Sequence, residues 1–284
     1  MRKFKVKIPA KINLTLDVVG VKDGFHMLNS LVSSVSVYDT VSVSKRKDDK
    51  ITLYFKGLTP NCALEDNNAY KSAKLFMERF STLGADIVIE KNIPLCGGMG
   101  GSSADIAGVL LALKRLYGIK DSVKELASEL GSDAEYMLTG GFATLQGKGE
   151  IITPVKTKAK LYLLLITEPE EKAKRVSAKE CYKRFDTKGE NYPPQTDKAV
   201  QFIKEKDYGA LFSVLKNDLY PSAKGLLPEI ETNLTALKNY GGAVMTGSGA
   251  TVVGVYKTAK ERNSVYKKLI STYGKRLIKV KTVK

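Results

Sequence analysis

The chain of 284 residues contains a single histidine, His26, and only three cysteines, Cys62, Cys96 and Cys181. A zinc site built on several histidines is impossible with one. The cysteines are odd in number, far apart and form no C-x-x-C pair, which argues against a disulfide framework or a cysteine zinc site. A Ser-His-Asp hydrolase would have to use His26, yet no G-x-S-x-G elbow occurs anywhere. No run approaches about 18 uninterrupted apolar residues, so no membrane span is predicted. The N-terminus "MRKFKVKIPAKINLTL" lacks the apolar core of a secretory signal and alternates like a strand. Without an export signal, a reducing cytoplasm is the expected setting.

What is present is ordinary in composition, with 43% hydrophobic and 27% charged residues, and so fits a globular chain of one large or two medium domains. The net charge of +16 is unevenly placed. Residues 1–153 hold 20 Lys/Arg against 17 Asp/Glu, and residues 154–284 hold 26 against 13. A basic half suits an anionic substrate, nucleic acid or a solvated lysine-rich surface. The lysines are scattered singly, with no dense block beyond "KAKR" (172–175), which favours the solvated surface.

Period-two or short apolar runs predict strands at about 3–8, 12–19, 31–44 and 50–56. A helix over 66–81 follows, with Asp66 as N-cap and Ala69, Ala73, Phe76, Met77 and Phe80 as its apolar stripe. "ADIVIEKNIPL" (85–95) reads as a strand feeding a glycine run. Helices are predicted over 102–117 and 121–130, with "GSDAEYMLTGG" (131–141) as a loop. "GKGEIITPVKTKAK" (147–160) combines glycine, Pro154 and a charge shift, and marks a boundary between domains 1–153 and 154–284. Beyond it come a buried-type strand (161–167), a helix (177–185), a loop (188–196) and helices over 197–206, 207–217 and 228–239. "AVMTGSGATVVGVY" (243–256) reads as two strands around a small-residue turn, followed by a helix (259–272) and a last strand, "RLIKVKTV". Strands and helices intermix throughout, so the class is α/β or α+β.

The segment "IPLCGGMGGSSAD" (93–105) holds Gly97, Gly98, Gly100 and Gly101 within five positions, an entropic cost that calls for a reason. A strand, a glycine run and serines opening a helix form the layout of an anion site. The helix start offers unpaired N–H groups and a partial positive charge. Glycines let successive N–H groups converge into a nest. Ser102 and Ser103 are placed to cap the helix and to donate to phosphate oxygens. A Walker A loop is excluded because no lysine stands beside the glycines. The dinucleotide pattern G-x-G-x-x-G fails at Ser103, and the V-A-I-K and H-R-D elements of protein kinases are absent. On this segment alone a glycine-rich turn without a ligand stays open.

"PLCGGMGGSSAD" (94–105) resembles the phosphate loop P-x-x-x-G-L/M-G-x-S-S-A of the GHMP kinases, which include galactokinase, homoserine kinase and mevalonate kinase. "PAKINLTLDV" (9–18) and "MTGSGATVVGV" (245–255) resemble the family's N-terminal and C-terminal motifs. "KDGFHMLNSLV" (22–32), "GSDAEYMLTGGFATLQGKGE" (131–150), "NDL" (217–219) and "LPEI" (227–230) resemble one branch, which phosphorylates the 2-hydroxyl of a cytidine-diphosphate-linked methylerythritol in non-mevalonate isoprenoid synthesis. The resemblance runs from residue 3 to the end. It implies two α+β domains, an N-terminal ribosomal-protein-like one with a left-handed β-α-β unit and a C-terminal ferredoxin-like one. It also implies ATP as phosphoryl donor with Mg2+, a small-molecule cytidine diphosphate substrate, and neither nucleic acid nor membrane as partner.

A hydroxyl is a poor nucleophile, helped by a carboxylate that accepts its proton and a lysine that favours the alkoxide. By resemblance Asp133 is that base and Lys11 its partner, while Asn13 orients the substrate hydroxyl and Asp133. Phe25 (tyrosine in many relatives) and His26 hold the cytosine, with its second face covered by Tyr182 or, in competition, Phe185. Asn67 corresponds to an adenine contact, and Pro94, Gly97, Gly98, Met99, Gly100, Gly101, Ser102 and Ser103 form the triphosphate loop. Taken singly, Lys11 reads as a surface lysine at a strand end, Asp133 as a helix cap and His26 as a loop histidine. The chain departs from the family at Ala134-Glu135-Tyr136, where V-P-F/S-F is usual, and at Val176-Ser177-Ala178, where V-S-T is frequent. The protein ligands of magnesium stay open. The competing readings are a GHMP kinase acting on homoserine or phosphomevalonate, and a basic RNA-binding protein without catalysis.

Overall fold

Alternation such as "SVSVYDTVSVS" (34–44) folds as strand because every second side chain then reaches one face. The computed structural model describes residues 3–188 and 192–284, so the loop predicted over 188–196 lies partly outside the described residues. Strands β1 (Lys3–Asn13), β2 (Thr15–Lys22), β3 (Phe25–Lys45) and β4 (Ile51–Gly57) open the chain. Helix α1 (Asn68–Phe80), strand β5 (Ala85–Lys91) and helices α2 (Gly101–Tyr117), α3 (Lys124–Leu130) and α4 (Ala134–Thr139) follow. Next come β6 (Phe142–Gly147), β7 (Ile151–Pro154), β8 (Tyr162–Ile166), α5 (Glu170–Ala173), α6 (Ala178–Lys188), α7 (Thr196–Glu205) and α8 (Tyr208–Ser213). The chain closes with β9 (Lys216–Asn217), α9 (Tyr220–Leu226), α10 (Glu229–Lys238), β10 (Gly242–Met245), β11 (Val252–Tyr256), α11 (Ala259–Tyr273) and β12 (Leu277–Lys281).

These elements form two compact units: Met1–Ala10, Val37–Leu95 and Gly100–Gly140 in the first, and Lys11–Ser36, Cys96–Met99 and Gly141–Lys284 in the second. Compactness therefore groups the chain differently from a single cut at 153, because β1, β3 and the glycine run each contribute residues to both units.

In the first unit, Thr40–Lys45 of β3 pair antiparallel with β5, and β4 pairs parallel with β5. Parallel neighbours need a crossover, and α1 supplies it. Its N-cap is Asn67, whose Oδ1 accepts from Ala69 N at 2.9 Å, and not the expected Asp66, whose own N–H is held in the preceding turn by Ala63 O. Helix α2 is buried along most of its length and approaches the sheet closely, since a Cβ on Gly108 would lie 2.5 Å from Val41 Cγ2. Helix α3 starts at Lys124 rather than 121, where Ser122 Oγ accepts from Lys124 N. The segment predicted as a loop over 131–141 contains α4, a helix of six residues too short for periodicity to reveal.

In the second unit, the first half of β3 lies between β2 and β6, with β7 beyond β6 and β9 parallel to β2. The other sheet is antiparallel in the order β10-β11-β8-β12, the strand order of a β-α-β-β-α-β fold, as the ferredoxin-like expectation requires. Leu164, Ile166, Val252, Tyr256 and Leu277 pack there with Leu234, Leu237 and Val265 from α10 and α11. Strand β8 lies between two neighbours in that sheet, and Leu163, Leu164, Leu165 and Ile166 are buried on both of its faces, which accounts for its continuous apolar run. The helix predicted over 207–217 stops at Ser213, and the unpredicted α9 follows β9. No described helix is long and apolar enough to cross a membrane.

Candidate active site

Strand β1 ends by delivering Lys11 and Asn13 into the second unit, where both are buried, at 5% and 3% exposure. Lys11 is therefore no surface lysine. Its Nζ donates to Asn13 Oδ1 at 2.8 Å. The same oxygen accepts from Gly247 N at 3.0 Å and from the Thr246 hydroxyl at 3.3 Å. The Thr246 hydroxyl in turn accepts from Asn13 N at 3.0 Å, and Asn13 Nδ2 donates to Ser30 Oγ at 2.8 Å. From below, Asn217 Nδ2 donates to the carbonyls of Met245 and Gly247, both at 2.8 Å.

The glycine run meets this cluster. Lys11 N donates to Met99 O at 3.0 Å, and Thr246 Oγ1 lies 3.3 Å from Gly98 O. A Cβ on Gly98 would fall 2.8 Å from Gly249 O and closer still to Thr246 O, while one on Gly247 would fall 2.6 Å from Gly98 O. Both glycines have left-handed φ, at +68° and +58°. Here glycine is required because two backbone turns touch.

Left-handed residues recur at Cys96, Gly98 and Gly100. In the first unit, Gly100 then occupies the N-cap of α2 with no side-chain capping bond. Ser102 and Ser103 stand inside the first turn, so neither caps the helix as expected. The first N–H groups of a 17-residue helix thus have no side-chain acceptor from the cap. Ser102 Oγ accepts from Asn68 Nδ2 at 2.8 Å, whereas Asn67 is engaged as the cap of α1 and donates to Cys62 Sγ at 3.5 Å. Gly131 brings the next loop against α2, since a Cβ there would meet Ser103 Oγ at 3.3 Å. Two residues on, Asp133 takes the N-cap position of α4 without making a capping bond.

Back in the second unit, His26 stacks on Tyr182 with ring centroids 4.4 Å apart and planes inclined by 22°. Phe185 presents its edge to His26 at 6.2 Å. Phe25, 54% exposed, carries Lys148 Nζ over its ring at 4.2 Å. His26 and Tyr182 thus stand together as an aromatic stack at the end of the β2–β3 hairpin.

Residues 67–146 match the model of the GHMP kinases N terminal domain, and residues 192–275 that of the GHMP kinases C terminal. The 4-diphosphocytidyl-2-C-methyl-D-erythritol kinase of Alkaliphilus metalliredigens (strain QYMF) is 32% identical, over 96% of this chain and 94% of its own. The chain belongs to the GHMP kinase family. The enzyme of the same name from Cutibacterium acnes (strain DSM 16379 / KPA171202) is 36% identical, over 87% of this chain and 83% of its own. A crystal structure of 4-(cytidine 5'-diphospho)-2C-methyl-D-erythritol kinase superposes with a TM-score of 0.76 at 26% identity, covering 99% of this chain and all of that one. The α+β, two-domain GHMP kinase fold expected from the motifs is the fold observed.

This GHMP kinase also carries site-adjacent groups that pattern reading missed. Lys91, at the end of β5, is 2% exposed and lies 2.5 Å from Asp39 Oδ2 and 2.8 Å from Asp105 Oδ2. Its Nζ also donates to Gly101 O, the first residue of α2, at 2.9 Å. Asp39 Oδ1 accepts from Asn92 N and Ile93 N at 2.7 and 2.9 Å, fixing the strand just before the glycine run. The signal was there: a lysine and an aspartate flanking the loop inside otherwise apolar stretches must pair if buried. Burial pushes the Asp105 carboxyl up to about 7, against the opposing pull of the Lys91 ammonium.

Gly98→Ala and Gly247→Ala should each lower unfolding stability by about 2 kcal/mol or more, since a left-handed non-glycine residue already costs about 1–3 kcal/mol and here also meets backbone. Gly118→Ala, at φ +68° but with open space around it, should cost less, and urea titration of the three variants separates contact from conformation. For Asp105, a carboxyl raised in the folded state is a penalty that grows as pH rises from about 4 to 7 and is constant above. The stability of Asp105→Asn relative to wild type should therefore rise across that window, and denaturant midpoints at pH 5 and pH 8 check it.

Proposed function

We propose that this GHMP kinase transfers the γ-phosphoryl group of ATP to the 2-hydroxyl of 4-diphosphocytidyl-2-C-methyl-D-erythritol, in the cytoplasm. One observation carries the reading: Lys11 and Asn13, Gly98, and Thr246 with Gly247 come from three distant motifs and form one hydrogen-bonded cluster. The relatives named for that activity, matched along nearly the whole chain, support it. We also propose 1–153 and 154–284 as the two family domains; the matches over 67–146 and 192–275 are compatible with that division.

The chemistry asked of the residues is modest, because phosphoryl transfer is mostly positioning and charge stabilisation. Asp133 accepts the proton of the substrate hydroxyl. The Lys11 ammonium, held by Asn13, stabilises the developing alkoxide. The N–H groups of residues 97–103 and the Ser103 hydroxyl receive the phosphates. Asn67, while its Oδ1 caps α1, offers its amide N–H to adenine, and Phe25, His26 and Tyr182 hold the cytosine. Among the described residues no group of three or more His, Cys, Asp or Glu side chains is placed to hold a metal. The Ser103 hydroxyl is an oxygen donor that suits magnesium arriving with ATP, whose phosphate charge the ion offsets.

Purified protein given ATP and a panel of alcohols tests the reading. Turnover of the cytidyl substrate is expected, and phosphorylation of homoserine or phosphomevalonate instead would overturn it. Asp133→Ala should cut turnover by about 10²–10⁴-fold, the usual yield of a positioned base, with ATP binding retained. Normal turnover in that variant would remove Asp133 from the role.

A further inference from the structure

Helix α6 presents Tyr182, Phe185 and Asp186 at i, i+3 and i+4, positions that share one face. All three converge on His26: Tyr182 stacks on its ring, Phe185 meets it edge-on, and Asp186 Oδ1 lies 2.6 Å from Nε2. The imidazole is largely enclosed, at 14% side-chain exposure, although the carboxylate itself is 55% exposed. An ionised carboxylate can only accept, so Nε2 must carry the proton in this bond. In a neutral imidazole the other nitrogen, Nδ1, then bears the lone pair, because each ring nitrogen's state is set by the bond its partner makes. The stack fixes the ring plane, and the carboxylate fixes which nitrogen accepts.

The consequence concerns which base is admitted. Cytosine presents an amino donor at C4, whereas uracil presents an oxygen acceptor there, as thymine does. An accepting Nδ1 complements the first and repels the second. We propose that Asp186 is a positioning residue for base selection: by accepting the Nε2 proton it presents His26 Nδ1 as the acceptor for the cytosine 4-amino group, favouring cytidine over uridine diphosphate-linked substrates. This rests on the cytidine-nucleotide reading above, but concerns a residue that the motif reading did not include.

Cytidine and uridine diphosphate binding to wild type, Asp186→Ala and Asp186→Asn by calorimetry, together with kinetics on the corresponding linked substrates, tests it. Wild type should prefer the cytidine ligand. Asp186→Ala should shrink that preference about tenfold or more, the yield of roughly one hydrogen bond to a charged group. The loss should appear in KM for the nucleotide substrate, with kcat and KM for ATP retained. Asp186→Asn, whose amide oxygen still accepts from Nε2, should restore most of it. A preference unchanged in Asp186→Ala, or a loss equal for both bases, would overturn the inference. Absence of turnover in wild type that still prefers cytidine diphosphate would instead strike the reaction assigned above, leaving base selection standing.

Discussion

A single carboxamide oxygen, Asn13 Oδ1, gathers the Lys11 ammonium, the Gly247 N–H and the Thr246 hydroxyl within 2.8 to 3.3 Å. Burying an ammonium is costly unless acceptors are supplied, and this oxygen supplies one while also fixing the turn that follows β10. Because Asn13 Oδ1 accepts these bonds while Asn13 Nδ2 donates to Ser30, the side chain cannot rotate without breaking several bonds, and the Asn13 N–H separately holds the Thr246 hydroxyl. The position of Lys11, the seat of the 246–247 turn and the register of the glycine run against it all follow from this one group. An aspartate would offer no Nδ2 donor to Ser30, and an aliphatic residue would offer Lys11 nothing.

The glycines of residues 97–101 turn out to have different jobs. Gly98 is glycine because the carbonyls of Thr246 and Gly249 occupy the space of a side chain. Gly100 is left-handed and opens α2 without a side-chain cap, which leaves the helix start available to an anion. Gly101 hands its carbonyl to Lys91. The entropy lost by a glycine-rich segment is offset in part by the backbone contact at Gly98, whereas the uncapped start of α2 is a further cost that a bound anion would relieve.

Carboxylates in the first unit also divide their roles by environment. Asp39 is sealed in, with two backbone N–H groups and an ammonium. Asp105 shares that ammonium in a dry setting and is pushed toward its neutral form. Asp133 stands at a helix start without capping it. Buried charge clusters of this kind hold geometry more than they add stability, and here the geometry held is the approach of β5 to α2.

Much of the architecture was legible because it is local. Period two marked β1 to β4, turn residues ended the helices, and three motifs identified the family because each needs particular small or charged residues at fixed spacing. Short elements such as α4 and α9 were not legible, since six or seven residues carry too little periodicity, and nothing local separates Asp66 from Asn67, which provides the cap one position later. By itself the sequence determined the longer elements, the family and the residue types available for phosphoryl transfer. Only the tertiary structure decided that Lys11 is buried against Asn13, that Gly98 and Gly247 touch, that Lys91 pairs with Asp39 and Asp105, and that Asp186 reaches His26. Those contacts join residues 2 to 160 positions apart in the chain, and all but the first are long-range pairings for which local propensity carries no information.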